Sequence, residues 1–249
     1  SDAFHLFSDV GSLALSLVVL NISQRPANER HTYGYQRAEA LGAFCSSLLL
    51  WMIMALLVYE GVERLFHPEP IDTQIVLITA LFAIVANVFM IRLLHSHSHS
   101  LNIRAAYLHV LSDLLGSLGV VFSAILLWAT GWHFVDPLIT FFISALVIHS
   151  SYQTMVSSAN ILMESSPKEI SSKEIQKSLE SINFVQSVHK LHVWSLSSKV
   201  YCLTAHLVVE KDPQKTLQEA STLLKTTYQL DHITLQIEPA DTISRSFDC

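Results

Sequence analysis

Residues 106–117 read AYLHVLSDLLGS. The stretch lies in an apolar run long enough to cross a bilayer, yet it carries His109 and Asp113. Residues four apart stand on one face of a helix, so this imidazole and this carboxylate converge on one point. A charged side chain at the centre of a bilayer costs about 2.5–3.5 kcal/mol on insertion scales, and such residues mark ion paths and binding sites. The stretch therefore reads as a membrane helix with a polar site built into it.

The composition supports a membrane setting. Hydrophobic residues make up 51% of the 249-residue chain and charged residues 14%, against about a quarter charged in ordinary soluble domains. Residues 1–163 hold no lysine, and every lysine lies beyond them. That asymmetry predicts two domains in two solvents, lipid first and water second. A net charge of −6 argues against nucleic acid as a partner and against a polybasic membrane anchor. Cys45, Cys202 and Cys249 are too widely spaced to read as a disulfide framework.

Five segments are long and apolar enough to span: about 1–22, 36–65, 73–95, 103–129 and 134–162. Arg25, Arg30 and Arg37 follow the first segment, and Arg92 and Arg104 flank the loop between the third and fourth. The positive-inside rule places those loops in the cytosol, and the last span then delivers the rest of the chain there. The expected domains are a transport domain over residues 1–163 and a cytosolic metal-binding and dimerisation domain over 164–249. In the second, SSPKEISSKEIQKSLESI (165–182) predicts a helix, and VQSVHKLHVWSL (185–196) and KVYCLTAHLVVE (199–210) predict strands. DPQKTLQEASTLLKTTY (212–228) predicts a helix opened by Asp-Pro, and HITLQIE (232–238) a third strand. The fold class is an α-helical polytopic membrane domain followed by an α+β ferredoxin-like domain of order α-β-β-α-β.

The first segment repeats the opening pattern. AFHLFSDV (3–10) holds His5 and Asp9, again His-x-x-x-Asp. Two helices that each offer one imidazole and one carboxylate make a four-ligand set, which suits tetrahedral Zn²⁺; a site for Mn²⁺ would be richer in oxygen. A single such pair could equally be a hydrogen-bonded couple that packs two helices. Between the third and fourth segments, HSHSHS supplies His95, His97 and His99. Such a tract binds metal weakly, and it could deliver metal to the membrane site or serve as a soluble linker. No His-Glu-x-x-His run is present, which sets aside an intramembrane metalloprotease; no enzyme activity is expected.

DAFHLFSDV, ERHTYGYQRAEALGAF, RAAYLHVLSDLLGS, the DP that opens the last span and SVHKLHVWSL together resemble the cation diffusion facilitator family, in particular its vesicular zinc transporters. The resemblance covers the whole chain. It implies six spans, of which five are present here and the first is missing. It implies a homodimer, with a heterodimer as the variant, embedded in membrane lipid. It also implies export of Zn²⁺ from the cytosol in exchange for protons, into a vesicle, vacuole or Golgi-type lumen or to the outside. His5, Asp9, His109 and Asp113 match the family's transport site. Arg37 matches the basic member of an interdomain charge pair, and Glu164 falls where its acidic partner stands. His189, His206 and Glu238 match cytosolic zinc ligands, and Asp231 or His232 lies where a further ligand is expected; relatives of the vesicular type end in a cysteine pair, of which only Cys249 is present here, the pair being either cut off or absent. His31 stands in the ERHTYGYQ loop, but Tyr35 replaces a histidine there, so this loop is not expected to hold metal well. The alternatives are a metal-sensing subunit that does not transport and an exporter of the same fold that prefers Mn²⁺.

Overall fold

The computed structural model describes residues 16–66, 73–95, 101–130 and 134–239. Two compact units divide the chain, Ser1–Ala159 and Asn160–Cys249.

The first unit is helical. Residues 16–23 form α1, followed by α2 (Arg37–Phe66), α3 (Thr73–His95), α4 (Leu101–Thr130) and α5 (Val135–Leu162). Among the described residues four helices are long and apolar enough to cross a membrane. They coincide with the expected second to fifth segments. Most of the expected first segment lies outside the described residues, and its end is the helical 16–23.

The packing is inverted relative to a water-soluble bundle. Met52, Leu56, Phe82, Phe89, Phe122 and Phe142 face outward, while Ala40, Ala43, Ser47, Ala105, Ser144, Ser151, Thr154 and Ser158 are buried. Lipid tails are as apolar as leucine, so hydrophobicity does not sort these faces; small residues do, by letting backbones approach. Along α5 the buried Ser144, Val147, Ser151, Thr154 and Ser158 recur at alternating steps of three and four, which is one helical face. Trp51 Nε1 of α2 donates to Ser151 Oγ of α5 at 2.8 Å. The hydroxyls of Ser47 and Ser158 bond back to carbonyls one turn earlier, each at 2.8 Å. α2 and α4 run parallel in contact: Glu39 meets Leu101 at one level, and Met54 meets Ser112 further along.

The turn between α1 and α2 closes on itself. Asn28 Oδ1 accepts from the backbone N–H of Arg30 and of His31, at 3.0 and 2.8 Å. Gly34 takes φ +73, and a Cβ there would stand 3.3 Å from the carbonyl oxygen of Arg25; both the left-handed backbone and the close approach demand glycine.

In the second unit α6 (Ser172–Glu180) and α7 (Pro213–Tyr228) cover a sheet of β1 (Val185–Ser195), β2 (Tyr201–Val209) and β3 (His232–Pro239). The element order is the expected one. The strands lie in the order β1-β2-β3, the first pair antiparallel and the second parallel. The parallel pair needs a crossover, which α7 supplies. Ser171 caps α6 by accepting the backbone N–H of Glu174 at 3.4 Å. α7 begins with Pro213, but Asp212 sits at φ 51 with no side-chain cap bond; the helix start comes from proline's preset φ rather than from a carboxylate. The core joins Ile175 and Leu179 of α6 and Ala220 and Leu224 of α7 to Leu203, Ala205 and Leu207 of β2.

β1 departs from strict alternation, and the register explains why. His189 pairs with His206, but the next pair is His192 with Thr204, so β1 carries an extra residue there. Lys190, at φ 47, lies in this bulge. The bulge keeps Val188 and Val193 in the core while His189 and His192 both fall on the opposite face of the sheet.

Leu207 is fully buried at the centre of this core. Leu207→Ala should cost about 2–5 kcal/mol, read as a lower urea midpoint for the soluble unit with an unchanged slope.

Candidate metal centres

α4 brings His109 and Asp113 to one face, as their spacing requires. His109 is 6% exposed within the bundle, and its Nε2 lies 3.7 Å from Asp113 Oδ2. Two ligand atoms on one tetrahedral Zn²⁺ stand about 3.3 Å apart, given bonds of about 2.0–2.1 Å. The pair is therefore within a few tenths of an ångström of chelating geometry. His5 and Asp9 lie outside the described residues, as do His97, His99 and Cys249. His95 is the last residue of α3.

The second cluster forms on the face of the sheet that α6 and α7 leave uncovered. His189 on β1 and His206 on β2 are direct cross-strand partners, with ring centroids 5.1 Å apart. Glu238 on β3 reaches both. Its Oε1 lies 2.6 Å from His206 Nδ1 and its Oε2 3.0 Å from His189 Nε2. One ligand atom from each of these three residues falls within 4.8 Å of the others, a nitrogen–nitrogen–oxygen set of the kind that holds zinc with a fourth position open. A ring nitrogen facing the ionised carboxylate donates its N–H in these bonds. Metal needs that nitrogen deprotonated, so binding moves or releases the proton and affinity rises with pH.

Asp231 and His232 are not brought to this cluster, which corrects the expectation for them. His232 pairs with Cys202, whereas Glu238 pairs with Val208; six residues of strand separate His232 from Glu238, about 20 Å. Asp231 instead braces the start of β2. Its Oδ2 accepts the backbone N–H of Tyr201 at 3.1 Å, and its own N–H donates to the Tyr201 carbonyl at 3.1 Å. Burial, with Glu169 and Asp231 nearby, pushes the Tyr201 phenol up from its ordinary value. The residue that does stand in register is Gln236, the strand partner of His206. Its Nε2 donates to Glu238 Oε1 at 3.0 Å and orients the carboxylate. Sequence reading passed over it because only the parallel register of β3 places it there. His192 stands opposite Thr204, away from the cluster by one rung.

Arg37 opens α2 and Glu164 sits at φ 59 in the turn after α5, one in each unit. In the first turn, His31 stacks on Tyr35 with centroids 4.2 Å apart, and Tyr35 Oη accepts from Asn28 Nδ2 at 3.1 Å. This histidine serves the turn.

The Glu238 carboxyl lies below its ordinary value near 4.5, chiefly through the bond from His206, helped by His189 and opposed by burial. A carboxyl depressed by folding contributes stability above its unfolded pKa, and that contribution is lost as pH falls through the lower folded value. Glu238→Gln should therefore flatten the acid dependence of the soluble unit's stability below about pH 4.5, read by thermal melts across pH. It should also weaken zinc binding to that unit by about tenfold or more, since one of three ligands goes, read by zinc titration.

Comparison with known proteins agrees with this layout. Residues 1–163 match the cation efflux transmembrane domain, and residues 167–240 match the cation efflux protein cytoplasmic domain. The chain is 36% identical over 247 residues to a cadmium, cobalt and zinc/H(+)-K(+) antiporter of Bacillus subtilis, covering 96% of this chain and 79% of that one. It is 34% identical over 242 residues to the zinc transporter ZitB of Escherichia coli, covering 96% and 77%. It is 36% identical over 244 residues to the metal cation efflux system protein CzcD of Cupriavidus metallidurans, covering 96% and 77%. Among solved structures, the metal-bound C-terminal domain of the CzcD transporter from that bacterium is 30% identical, covering 28% of this chain and 99% of that one, with a TM-score of 0.27. These relatives are bacterial, and they give the expected vesicular subtype no support. With both of its domains matched and these relatives covered over most of their length, the chain belongs to the cation efflux family of membrane metal transporters.

Proposed function

We propose that this chain is the transporting protomer of a dimeric exporter that moves Zn²⁺ out of the compartment holding its soluble domain, in exchange for protons. The observation that carries this reading is the His109–Asp113 pair within an apolar span, at near-chelating distance, with His109 buried and Asp113 half-buried. A polar couple is costly inside a membrane, and those that occur there mark binding sites and ion paths. His5 and Asp9 complete the quartet in this reading, through the same spacing on the first segment.

Neutral imidazole and ionised carboxylate bind Zn²⁺; protonated imidazole does not. In the state open to the cytosol the deprotonated ligands capture the ion. In the state open to the acidic side, protons compete for the same lone pairs and release it, because an ordinary imidazole titrates near 6.5. One set of atoms thus carries metal one way and protons the other, while helices rock around a fixed site. Proton coupling draws support from the antiporter name of the Bacillus relative, and zinc from the names of the ZitB proteins. The Bacillus name also includes cadmium, cobalt and potassium, so the preference for zinc and the identity of the counter-ion belong to this proposal. The reading involves no enzyme chemistry: the cation crosses unchanged.

The soluble unit, matched to the family's cytoplasmic domain, pairs two protomers in this reading. Its His189–His206–Glu238 cluster binds metal as a sensor that shifts the transport equilibrium through differential affinity for the two states. That cluster is also what favours the second reading, a metal-sensing subunit that does not itself transport.

Zinc uptake into proteoliposomes, with an imposed pH gradient and with potassium varied separately, decides between them. The wild-type chain should take up zinc only with the pH gradient, and His109→Ala and Asp113→Ala should each lose at least about tenfold in rate. Equal uptake in wild type and variants would remove the membrane pair from the mechanism. No uptake in any form, with zinc still bound by the soluble unit, would favour the sensor.

A further inference from the structure

α4 carries half of the transport site, and it is held to α2 at two levels. At its start, Leu101 N–H donates to Glu39 Oε1 at 2.8 Å. Eleven residues on, Ser112 Oγ meets Met54 Sδ at 3.9 Å, in a buried contact. His109 lies between these two attachments. The first N–H groups of a helix have no partner within it, and a carboxylate placed there satisfies one and also meets the positive end of the helix dipole. Most caps come from the residue just before the helix and fix only the local turn. This one comes from the first turn of another helix, 62 residues earlier. It sets the start of α4 against α2, and so the depth at which α4 presents its ligands. From Leu101 the rise to His109 is about 12 Å and to Asp113 about 18 Å, through the small buried residues Ala105 and Ala106, which leave little side chain to absorb a slip.

We propose that Glu39 is a positioning residue for transport: its carboxylate, by holding the N-terminus of α4, keeps His109 and Asp113 in register with the ligands that other helices supply. This rests on the reading of those two residues as part of the transport site. Geometry within the His109–Asp113 pair is internal to α4 and survives loss of the bond; geometry between α4 and the rest of the site does not. Glu39 therefore acts on metal capture rather than on folding alone.

The test is zinc uptake into proteoliposomes by the full chain, with the half-saturating zinc concentration and the maximal rate recorded per folded protomer. Glu39→Ala should raise half-saturation by about tenfold, because misplacing a ligand set by a fraction of an ångström weakens every bond to the ion. Glu39→Gln, which keeps the accepting oxygen, should stay within about twofold of wild type. Leu101→Pro is the second variant. It removes the donated N–H at a position where proline suits a helix start, and it should by itself raise half-saturation by about tenfold, so the test stands even where Glu39→Ala fails to fold. Half-saturation within about twofold of wild type in Glu39→Ala or Leu101→Pro overturns the proposal. Glu39→Gln as impaired as Glu39→Ala also overturns it, since charge and not the bond would then matter. His109→Ala, run in parallel, separates the two readings: wild-type uptake there refutes the transport site itself, whatever Glu39 does.

Discussion

An imidazole and a carboxylate one turn apart within an apolar span are the constraint from which the membrane unit follows. In hydrocarbon every backbone polar group must be paired within the protein, so the spans are helices. A His–Asp couple on such a helix must face inward, so neighbouring helices have to close over it. That closure explains the distribution of side chains. Ala40, Ala43 and Ser47 of α2 and the serine and threonine seam of α5 are buried, while large apolar residues face out. Small residues permit the approach, and Trp51 with Ser151 adds one interhelical hydrogen bond.

The soluble unit solves a different problem with the same ligand types. Here water can reach one face of a sheet, and ligands are gathered by strand register instead of helical spacing. His189 and His206 meet across an antiparallel pair, and Glu238 joins from the parallel strand beyond. The bulge at Lys190 lets β1 keep its valines in the core without turning either histidine into it. The two candidate centres thus differ in what assembles them: local periodicity within α4, and long-range pairing among three strands.

Much of the fold was legible in the sequence. Runs of twenty or more apolar residues have few structural solutions, so the spans 36–65, 73–95, 103–129 and 134–162 match helices in the structure. The soluble order α-β-β-α-β was readable from helix-start residues and β-rich stretches. The partial alternation of β1 was visible, but its cause was not, because a bulge is defined only by the partner strand. Asp231 and His232 were placed near the metal cluster for a related reason. A shift along a parallel strand is invisible in the sequence, where HITLQIE offers a histidine at one end and a glutamate at the other.

What the sequence by itself determined is whatever depends on neighbours within a few residues: the apolar spans, the helix starts, and the convergence of His109 with Asp113 one turn apart. What only the tertiary structure decided is whatever depends on residues far apart in the chain. It set Gln236 rather than His232 beside Glu238, gave Asp231 to the backbone of Tyr201, and brought the Glu39 carboxylate to the first N–H of α4. The physical reason is range. A helix fixes its own spacing by its pitch, whereas strand register and contacts between helices are settled by the packing of whole elements against one another.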